Sequence, residues 1–422
     1  MTGSESSRLA RPYVRFPSSA QSRLLRIAAV FHLADISGPA QSLRPRLAAL
    51  AERGTLEVLT PGNGSLAEAY ADVGAVHRLP YERLTVPRSL RELARALRRL
   101  GREVRLFRRE LRRAAPDLVV IVTALLPAAL VAARLERLPT VLYVGEIFAK
   151  DDLRGPLRTL GDRAIVRLSE TLADRLVCCS ETVRAQFSKP SKTVTIHPGI
   201  SLEYAHGDGD RFRARHRLEA ARPLIATVGN VTEGRGQDTA VRALARVRER
   251  LADAQLVVVG LPHPGSVDEA FANEVRDLAC RLGLDREVVF SGLVEQVADV
   301  YAAADVVINP ARFREAFGRV AFEALVAGRP VVASAVGAIP EILRDELDAL
   351  LVPRDDADAL ARAVVRLVEQ PDLRERLVAE GGRRVREEFG EGVGVAAFTR
   401  VVDEVLGERK RGRGFVPASR EA

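Results

Sequence analysis

The stretch Asp305–Ser334, DVVINPARFREAFGRVAFEALVAGRPVVAS, reads as strand, loop, helix, strand. Its two Val-rich runs, DVVINP and PVVAS, have the length and composition of buried strands. Between them the segment from Phe317 to Ala327 is apolar on nearly every side, through Val320, Ala321, Phe322, Ala324, Leu325 and Val326. A strand, a crossover helix and a second strand make one unit of a parallel sheet. The odd member is Glu323, in the middle of the greasy helix. A buried carboxylate without partners is strongly unfavourable, so this one needs donors. Ribose hydroxyls would serve, and so would Arg319 one turn back.

The same alternation extends in both directions. Upstream come RIAAVF, LEVLT, DLVVIV, TVLYVG, RLVCCS and TVTIHP, with helical patterns such as Gln41–Arg53 and Leu90–Arg113 between them. It pauses at Ser201–Pro223, a polar segment holding Gly207 and Gly209, and resumes with PLIATVG, AQLVVVG, EVVFSG, DVVINP, PVVAS and DALLVP. The expectation is an α/β protein with two doubly wound, Rossmann-like domains facing across a cleft. We place a flexible tail at 1–22, a first domain at 23–205, a second at 206–389, a helix at 390–407 that can run back over the first domain, and a second flexible tail at 408–422. Of the last two helical patterns, Pro371–Phe389 and Val393–Leu406, either could make that return.

Composition narrows the function classes. With 422 residues, 47% hydrophobic and 28% charged, the chain suits a soluble globular protein of two domains. Nothing resembles a membrane span or a secretory signal, so a cytoplasmic location is expected. Cys178, Cys179 and Cys280 have no disulfide or metal-ligand spacing and are expected to be core thiols. The net charge is +8, and 60 of the 64 basic residues are Arg. That bias is better explained by coding composition than by nucleic-acid binding. Charge is concentrated in Arg88–Arg113, with eleven Arg against Glu92, Glu103 and Glu110.

Open α/β sheets bind ligands at the carboxyl ends of their strands. After ATVG, the loop GNVTEGRGQD offers Gly229, Gly234 and Gly236 for close backbone approach and Arg235 as a phosphate-pairing fork. After DVVINP, Glu315 lies in the loop, and the amides of Gly318, Arg319 and Val320 at the helix start suit a diphosphate.

Glu315 and Glu323, seven residues apart in EAFGRVAFE and followed by ALVAGRPVVASAVGAIPEIL, resemble the E-x7-E signature of family 4 retaining glycosyltransferases of the GT-B fold. VGNVTEGRGQD, LVVVG, VVFSGLV and VYAAADVVINP precede it in the family's order. The resemblance implies that Glu323 binds the donor ribose, that Glu315 and the Ala316-Phe317-Gly318 backbone hold the donor sugar, and that Arg235 with the amides of Gly318, Arg319 and Val320 faces the diphosphate. Gly229 and Asn230 would border the donor, Gly292 and Leu293 would line the base pocket, and the Ser37-Gly38 turn would lie near acceptor and diphosphate. Asn230 stands where the family commonly has Arg, which leaves Arg235 as the evident phosphate cation, with Arg319 a candidate to compensate. Glu146 stands where many relatives have a sugar-contacting His, and makes a candidate catalytic group beside Glu315 and Arg235. His197, in IHPGIS, is read as structural.

The implied activity is retaining, hexosyltransferase-like transfer from a nucleotide-diphospho-sugar to a saccharide or lipid-linked acceptor, in cell-surface polysaccharide or glycolipid synthesis. The nucleotide sugar is a substrate, no cofactor is implied and no metal is expected, because no Asp-x-Asp lies at a strand end. Asp356 and Asp358 open a helix, where capping explains them. A sugar-nucleotide epimerase of the same architecture is the alternative enzyme. A nucleic-acid-binding protein is the alternative of another class, disfavoured by the lack of aromatics among the Arg. The stripe Leu90, Leu93, Leu97, Leu100, Val104, Phe107 and Leu111 makes the Arg-rich helix amphipathic. Its plain reading is a helix packed on its sheet, and its sharper one a peripheral contact with an anionic membrane on the inner face of the plasma membrane.

Overall fold

The protein was studied as a computed structural model that describes residues 24–84, 90–148 and 156–413. The tail at 1–22 lies outside those residues, as does 414–422.

Seven strands form the first sheet: β1 (Leu25–Val30), β2 (Gly54–Pro61), β3 (Ala75–Leu79), β4 (Leu118–Val122), β5 (Thr140–Val144), β6 (Arg175–Cys178) and β7 (Thr193–Thr195). Their order is β3-β2-β1-β4-β5-β6-β7 and every pairing is parallel. The second sheet comprises β8 (Leu224–Val228), β9 (Gln255–Val259), β10 (Val288–Gly292), β11 (Val306–Asn309), β12 (Val331–Ser334) and β13 (Leu350–Val352). Its order is β10-β9-β8-β11-β12-β13, again all parallel. Central strands such as β4, β5 and β9 are buried along their whole length, because helices cover both faces. Each fully buried Val, Leu or Ile there contributes about 1.5–3 kcal/mol.

Both sheets reverse direction at one place, between β1 and β4 and between β8 and β11. Loops leaving those strand pairs diverge and open a crevice in each domain. The expected two-domain α/β architecture is therefore present. The sequence reading passed over β3, AVHRL, whose edge position leaves it without the continuous apolar run of its neighbours.

The chain returns to the first domain at Gly390, where Ile200 N donates to Phe389 O at 2.9 Å. From there the helix Glu391–Arg413 packs on the helix Gly38–Ala51. Arg53–Asp403 at 2.6 Å, Arg175–Glu408 at 2.9 Å and Arg409–Asp174 at 3.0 Å hold it there. The preceding helix, Pro371–Glu388, stays on the second domain, with Arg384 donating to Ile342 O at 2.7 Å and pairing with Asp348 at 2.6 Å. Of the two candidates for the return, only the last makes it. That helix also runs to Arg413, past the expected end at 407, so the chain from 408 to 413 is helical and not a loose tail.

Two further expectations need correction. Cys178 and Cys179 are core thiols, but Cys280 is exposed on the outer side of the helix Val267–Arg281. In the Arg-rich helix Leu90–Ala114, Phe107 and Leu111 are buried while Leu97 is 59% exposed. The apolar stripe is thus covered only toward the helix's C-terminal end. Arg108 and Arg112 both bind Glu136 there, at 2.6 and 2.8 Å, and Arg113 binds Glu110 at 3.0 Å.

Candidate active site

The crevice of the second domain is built on glycines. Gly229 ends β8 at φ 141°, Gly236 starts the helix Gln237–Arg248 at φ 68°, and Gly318 starts the helix Arg319–Val326 at φ 85°. A Cβ on Gly318 would run into Ile339, so a side chain is excluded by both conformation and space. Its left-handed conformation turns the chain so that the first amides of Arg319–Val326 open toward the crevice.

Glu315 lies in the loop before that turn, only 5% exposed. Arg235 Nη1 donates to its Oε1 at 2.6 Å, and the Arg235 guanidinium lies 4.9 Å over the Phe313 ring. Arg235 Nε lies 3.5 Å from where a Cβ on Gly229 would sit. The structure therefore brings Glu315, Arg235 and Gly229 together, as a carboxylate, a guanidinium and an uncluttered backbone turn. Asn309, at the end of β11, was not singled out from sequence, although its Nδ2 is buried near Gly318 with no partner among the described residues.

Glu323 is 6% exposed and does not point into bulk water. Its donors come from the protein: Tyr301 Oη at 2.7 Å and Arg319 Nε at 3.1 Å. Burial first, and then the charge of Glu323, push the Tyr301 hydroxyl far up, so it stays a donor. Burial works most strongly against the Arg319 charge, but Glu323, Tyr204 and Tyr143 together outweigh it and hold the guanidinium above its ordinary range. Of the two ways to satisfy this carboxylate, the structure shows the pairing with Arg319. Tyr301 was missed because an aromatic in an Ala-rich helix carries no local signal of what it faces.

Arg319 also crosses the cleft. Its Nη1 donates to Ser42 Oγ at 2.9 Å and to Gly199 O at 3.3 Å, both in the first domain. It is thereby committed and does not stand in for the Arg absent at 230. Asn230 itself turns aside, with Nδ2 against His263 Nε2 at 3.0 Å, and His263 Nδ1 meets Asp268 at 2.7 Å.

The first-domain residues line up opposite. A Cβ on Gly38 would sit 3.5 Å from Arg319 Cδ, placing the Ser37-Gly38 turn against the start of Arg319–Val326. Gly145 lies beside Pro39, which puts Glu146 next to that turn. Burial raises the Glu146 carboxyl above the usual carboxylate range, against hydrogen bonds from Thr123 and nearby amides. Two further contacts join the domains. Glu341 accepts from the amides of Glu181 and Thr182 at 2.7 and 2.8 Å, capping the helix Glu181–Arg184, and Cys179 Sγ donates to Ala316 O at 3.4 Å. His197 packs at a tilt against Phe317 and Phe389, with Nδ1 against Cys179 O at 3.1 Å, the surroundings of a structural residue. Phe317 itself is core, stacked on Phe322 at 4.8 Å, so only its backbone can face a ligand.

Toward the far side of the crevice, Gly260 N donates to Gly292 O at 2.9 Å, and Gly260 is in backbone contact with Gly229. Gly292 at φ 71° and the exposed Leu293 thus border the same crevice through a neighbouring loop.

Two family models match this chain. One, described as Glycosyltransferase Family 4, matches residues 37–204, and the other, Glycosyl transferases group 1, matches residues 222–370. The chain belongs to glycosyltransferase family 4. The break between the matches falls on the polar segment that separates the two sheets. Among curated relatives of this family 4 chain, a D-inositol 3-phosphate glycosyltransferase of Streptomyces scabiei is 33% identical over 279 residues, 63% of this chain and 61% of the relative. Its counterpart from Mycobacteroides abscessus is 36% identical over 222 residues, 50% of this chain and 48% of the relative. The chain thus spans about half to six-tenths of the length of these relatives. Solved structures cover more of it. HepE of Anabaena in complex with UDP-glucose has a TM-score of 0.75 at 18% identity, covering 90% of this chain and 100% of that one. Sucrose-phosphate synthase of Thermosynechococcus elongatus has a TM-score of 0.74 at 22% identity, covering 91% and 100%. These likenesses establish the GT-B fold.

Proposed function

We propose that the protein is a retaining glycosyltransferase that moves a sugar from a nucleotide-diphospho-sugar to a hydroxyl of a saccharide or lipid-linked acceptor, in cell-surface polysaccharide or glycolipid synthesis. The observation that carries this reading is the Arg235–Glu315 pair beside the open amides of Gly318, Arg319 and Val320. In the proposed step the acceptor oxygen bonds to the anomeric carbon, the bond from that carbon to the phosphate oxygen breaks, and the acceptor proton passes to the departing phosphate on the same face. Arg235 and the helix amides stabilise the charge growing on the diphosphate, Glu315 and the Ala316–Gly318 backbone hold the sugar, and Glu323 receives the ribose at the lone pairs that Tyr301 and Arg319 leave over. Turnover is expected to need no divalent cation, so a chelator should leave the rate unchanged. An epimerase would alter the donor sugar without an acceptor, which incubation with donor alone would reveal.

The test is a calorimetric titration with UDP, GDP and ADP. One of them is expected to bind, UDP first in order of trial because HepE was solved with it. Binding of none would remove the donor reading.

We also propose that the Arg-rich helix meets an anionic membrane surface, so that a lipid-linked acceptor can reach the cleft. Arg95, Arg98, Arg99, Arg102 and Arg105 line an open groove of about 980 Å³ together with Glu82 and Glu92, an excess of positive charge. Near a charged bilayer each Arg contributes up to about 1 kcal/mol. No helix among the described residues is long and apolar enough to cross a membrane. Sedimentation with phosphatidylserine-containing vesicles at low salt should carry the protein down, and neutral vesicles should not. Equal recovery from both would remove the contact.

A further inference from the structure

The cations of the donor crevice are already engaged. Arg235 shares its charge with Glu315 at 2.6 Å, and Arg319 is held by Glu323 and by the first domain. A diphosphate brings more than one negative charge, so part of it is left to be met by other groups. The loops after β8 and β9 hold such a group. Asn230 follows Gly229 at the end of β8, and His263 lies four residues past the end of β9. β9 pairs with β8 on one side and with β10 on the other, and Leu261 Cδ2 lies 3.8 Å from the place of a Cβ on Gly292. A nucleotide sugar lying from Gly292 to Arg235 passes beside both residues.

The loop holds His263 in one orientation. Pro262 and Pro264 flank it and fix their own φ. Ser266 Oγ donates to His263 O at 2.7 Å and accepts from Asp268 N at 3.2 Å, which ties the loop to the start of the helix Val267–Arg281. His263 Nδ1 meets Asp268 Oδ2 at 2.7 Å. The carboxylate takes the Nδ1 proton, so Nε2 is the nitrogen that gains or loses one, and it faces Asn230 Nδ2 at 3.0 Å. The ring is 58% exposed, so solvent supplies and removes that proton. The charged groups on the elements around the ring are Asp268 and Glu269 on its own helix, Glu233 and Arg235 on the loop of Asn230, and Glu295 past β10. Glu269 takes Gly265 N at 3.1 Å and Arg235 is held by Glu315, whereas Asp268 is in contact with the ring.

The Asn230 amide has to follow the state of the ring. A neutral Nε2 accepts from the amide nitrogen, and the free end of the amide is its oxygen. A protonated Nε2 donates, so it requires the amide oxygen, and half a turn of the amide makes the nitrogen the free end. A free oxygen repels a phosphate oxygen. A free nitrogen offers it N–H donors, with the imidazolium charge behind them.

We propose that donor binding is linked to protonation of His263, whose imidazolium turns the Asn230 amide so that its N–H groups meet the donor's phosphates. This rests on the transferase reading and adds a pH-dependent cation to its diphosphate site.

The test is calorimetric titration with UDP-glucose, whose diphosphate is esterified at both ends and does not titrate between about pH 5 and 8, where imidazoles do. GDP-mannose and ADP-glucose follow if it does not bind, and binding of none removes the donor reading and this proposal with it. Titrations near pH 7 in phosphate and in Tris buffer count the protons taken up, because the two buffers release them with different heats. Wild-type protein is expected to take up protons on binding, and His263→Gln none. Because the charged imidazole forms at low pH, binding strengthens as pH falls: wild-type affinity should be about tenfold weaker at about pH 8 than at about pH 5, and that of His263→Gln flat. Asn230→Ala keeps the imidazole but has no amide to turn, and should lose most of the dependence. Both side chains are exposed, so the variants are expected to fold as wild type. Binding without proton uptake, or a pH dependence unchanged in His263→Gln or in Asn230→Ala, overturns the proposal and leaves the donor reading standing.

Discussion

Glu323→Ala is expected to destabilise the second domain by about 3–5 kcal/mol, because it strands a buried cation. Arg319 is held by the Glu323 carboxylate at 3.1 Å, and its other partners, Ser42 Oγ, Gly199 O and the Tyr204 hydroxyl, are neutral. Tyr301 Oη, fully buried, loses its acceptor in the same variant. Tyr301→Phe removes one hydrogen bond while leaving the ion pair, and should cost only about 1 kcal/mol. Glu323→Gln keeps the shape and one acceptor oxygen and should fall between the two. Urea unfolding followed by circular dichroism would rank the three, read as the midpoint of the second domain's transition, since two-domain chains need not unfold in one step. A Glu323→Ala protein as stable as wild type would mean that the pair contributes nothing. Nucleotide binding then has to be compared on Glu323→Gln, because a weakened titration on Glu323→Ala would mix lost ribose contacts with a disturbed helix Arg319–Val326.

The Glu323 case also separates what sequence could and could not tell. That a carboxylate inside VAFEALV must have donors followed from burial alone. Arg319, one turn back, was legible as one of them, but the second donor, Tyr301, lies on a different helix, and Arg319 also reaches Ser42, 277 positions away. Strand alternation made both sheets legible, because parallel strands buried on both faces are continuous apolar runs. The edge strand β3 lacks that pattern and was passed over. Of the three glycines expected to shape the turn after β8, Gly229 and Gly236 have the positive φ that a turn asks of glycine, whereas Gly234 does not and instead makes room for Phe313. Thr123, at φ 112°, was invisible in sequence, because its strained φ is imposed by tertiary contacts against its own preference. Glu341, which caps a first-domain helix from the second, was likewise beyond local pattern.

Arg235→Ala is expected to lower kcat by about 10²–10³ while the protein stays folded, the usual cost of removing one preorganised donor from a developing negative charge. The side chain is aimed by three features. Glu315 takes Nη1 at 2.6 Å, Phe313 lies under the guanidinium plane at 4.9 Å, and Gly229 leaves the space beside Nε clear. Glu315 is in turn fixed by its backbone, whose carbonyl accepts from Ala338 N at 2.8 Å, and Gly337 at φ 58° lets that carbonyl approach where a Cβ would collide. Arg235→Lys keeps the charge but not the planar fork, and should recover little of the rate. Glu315→Gln should be nearly as damaging, by loosening Arg235 as well as the sugar. Residues acting as a unit are non-additive, so the double variant should be scarcely slower than either single one. Steady-state kcat for the four proteins, alongside their UDP affinities, gives the comparison. An Arg235→Ala enzyme within about threefold of wild type, a difference below 1 kcal/mol in the barrier, would show that the diphosphate's charge is met elsewhere.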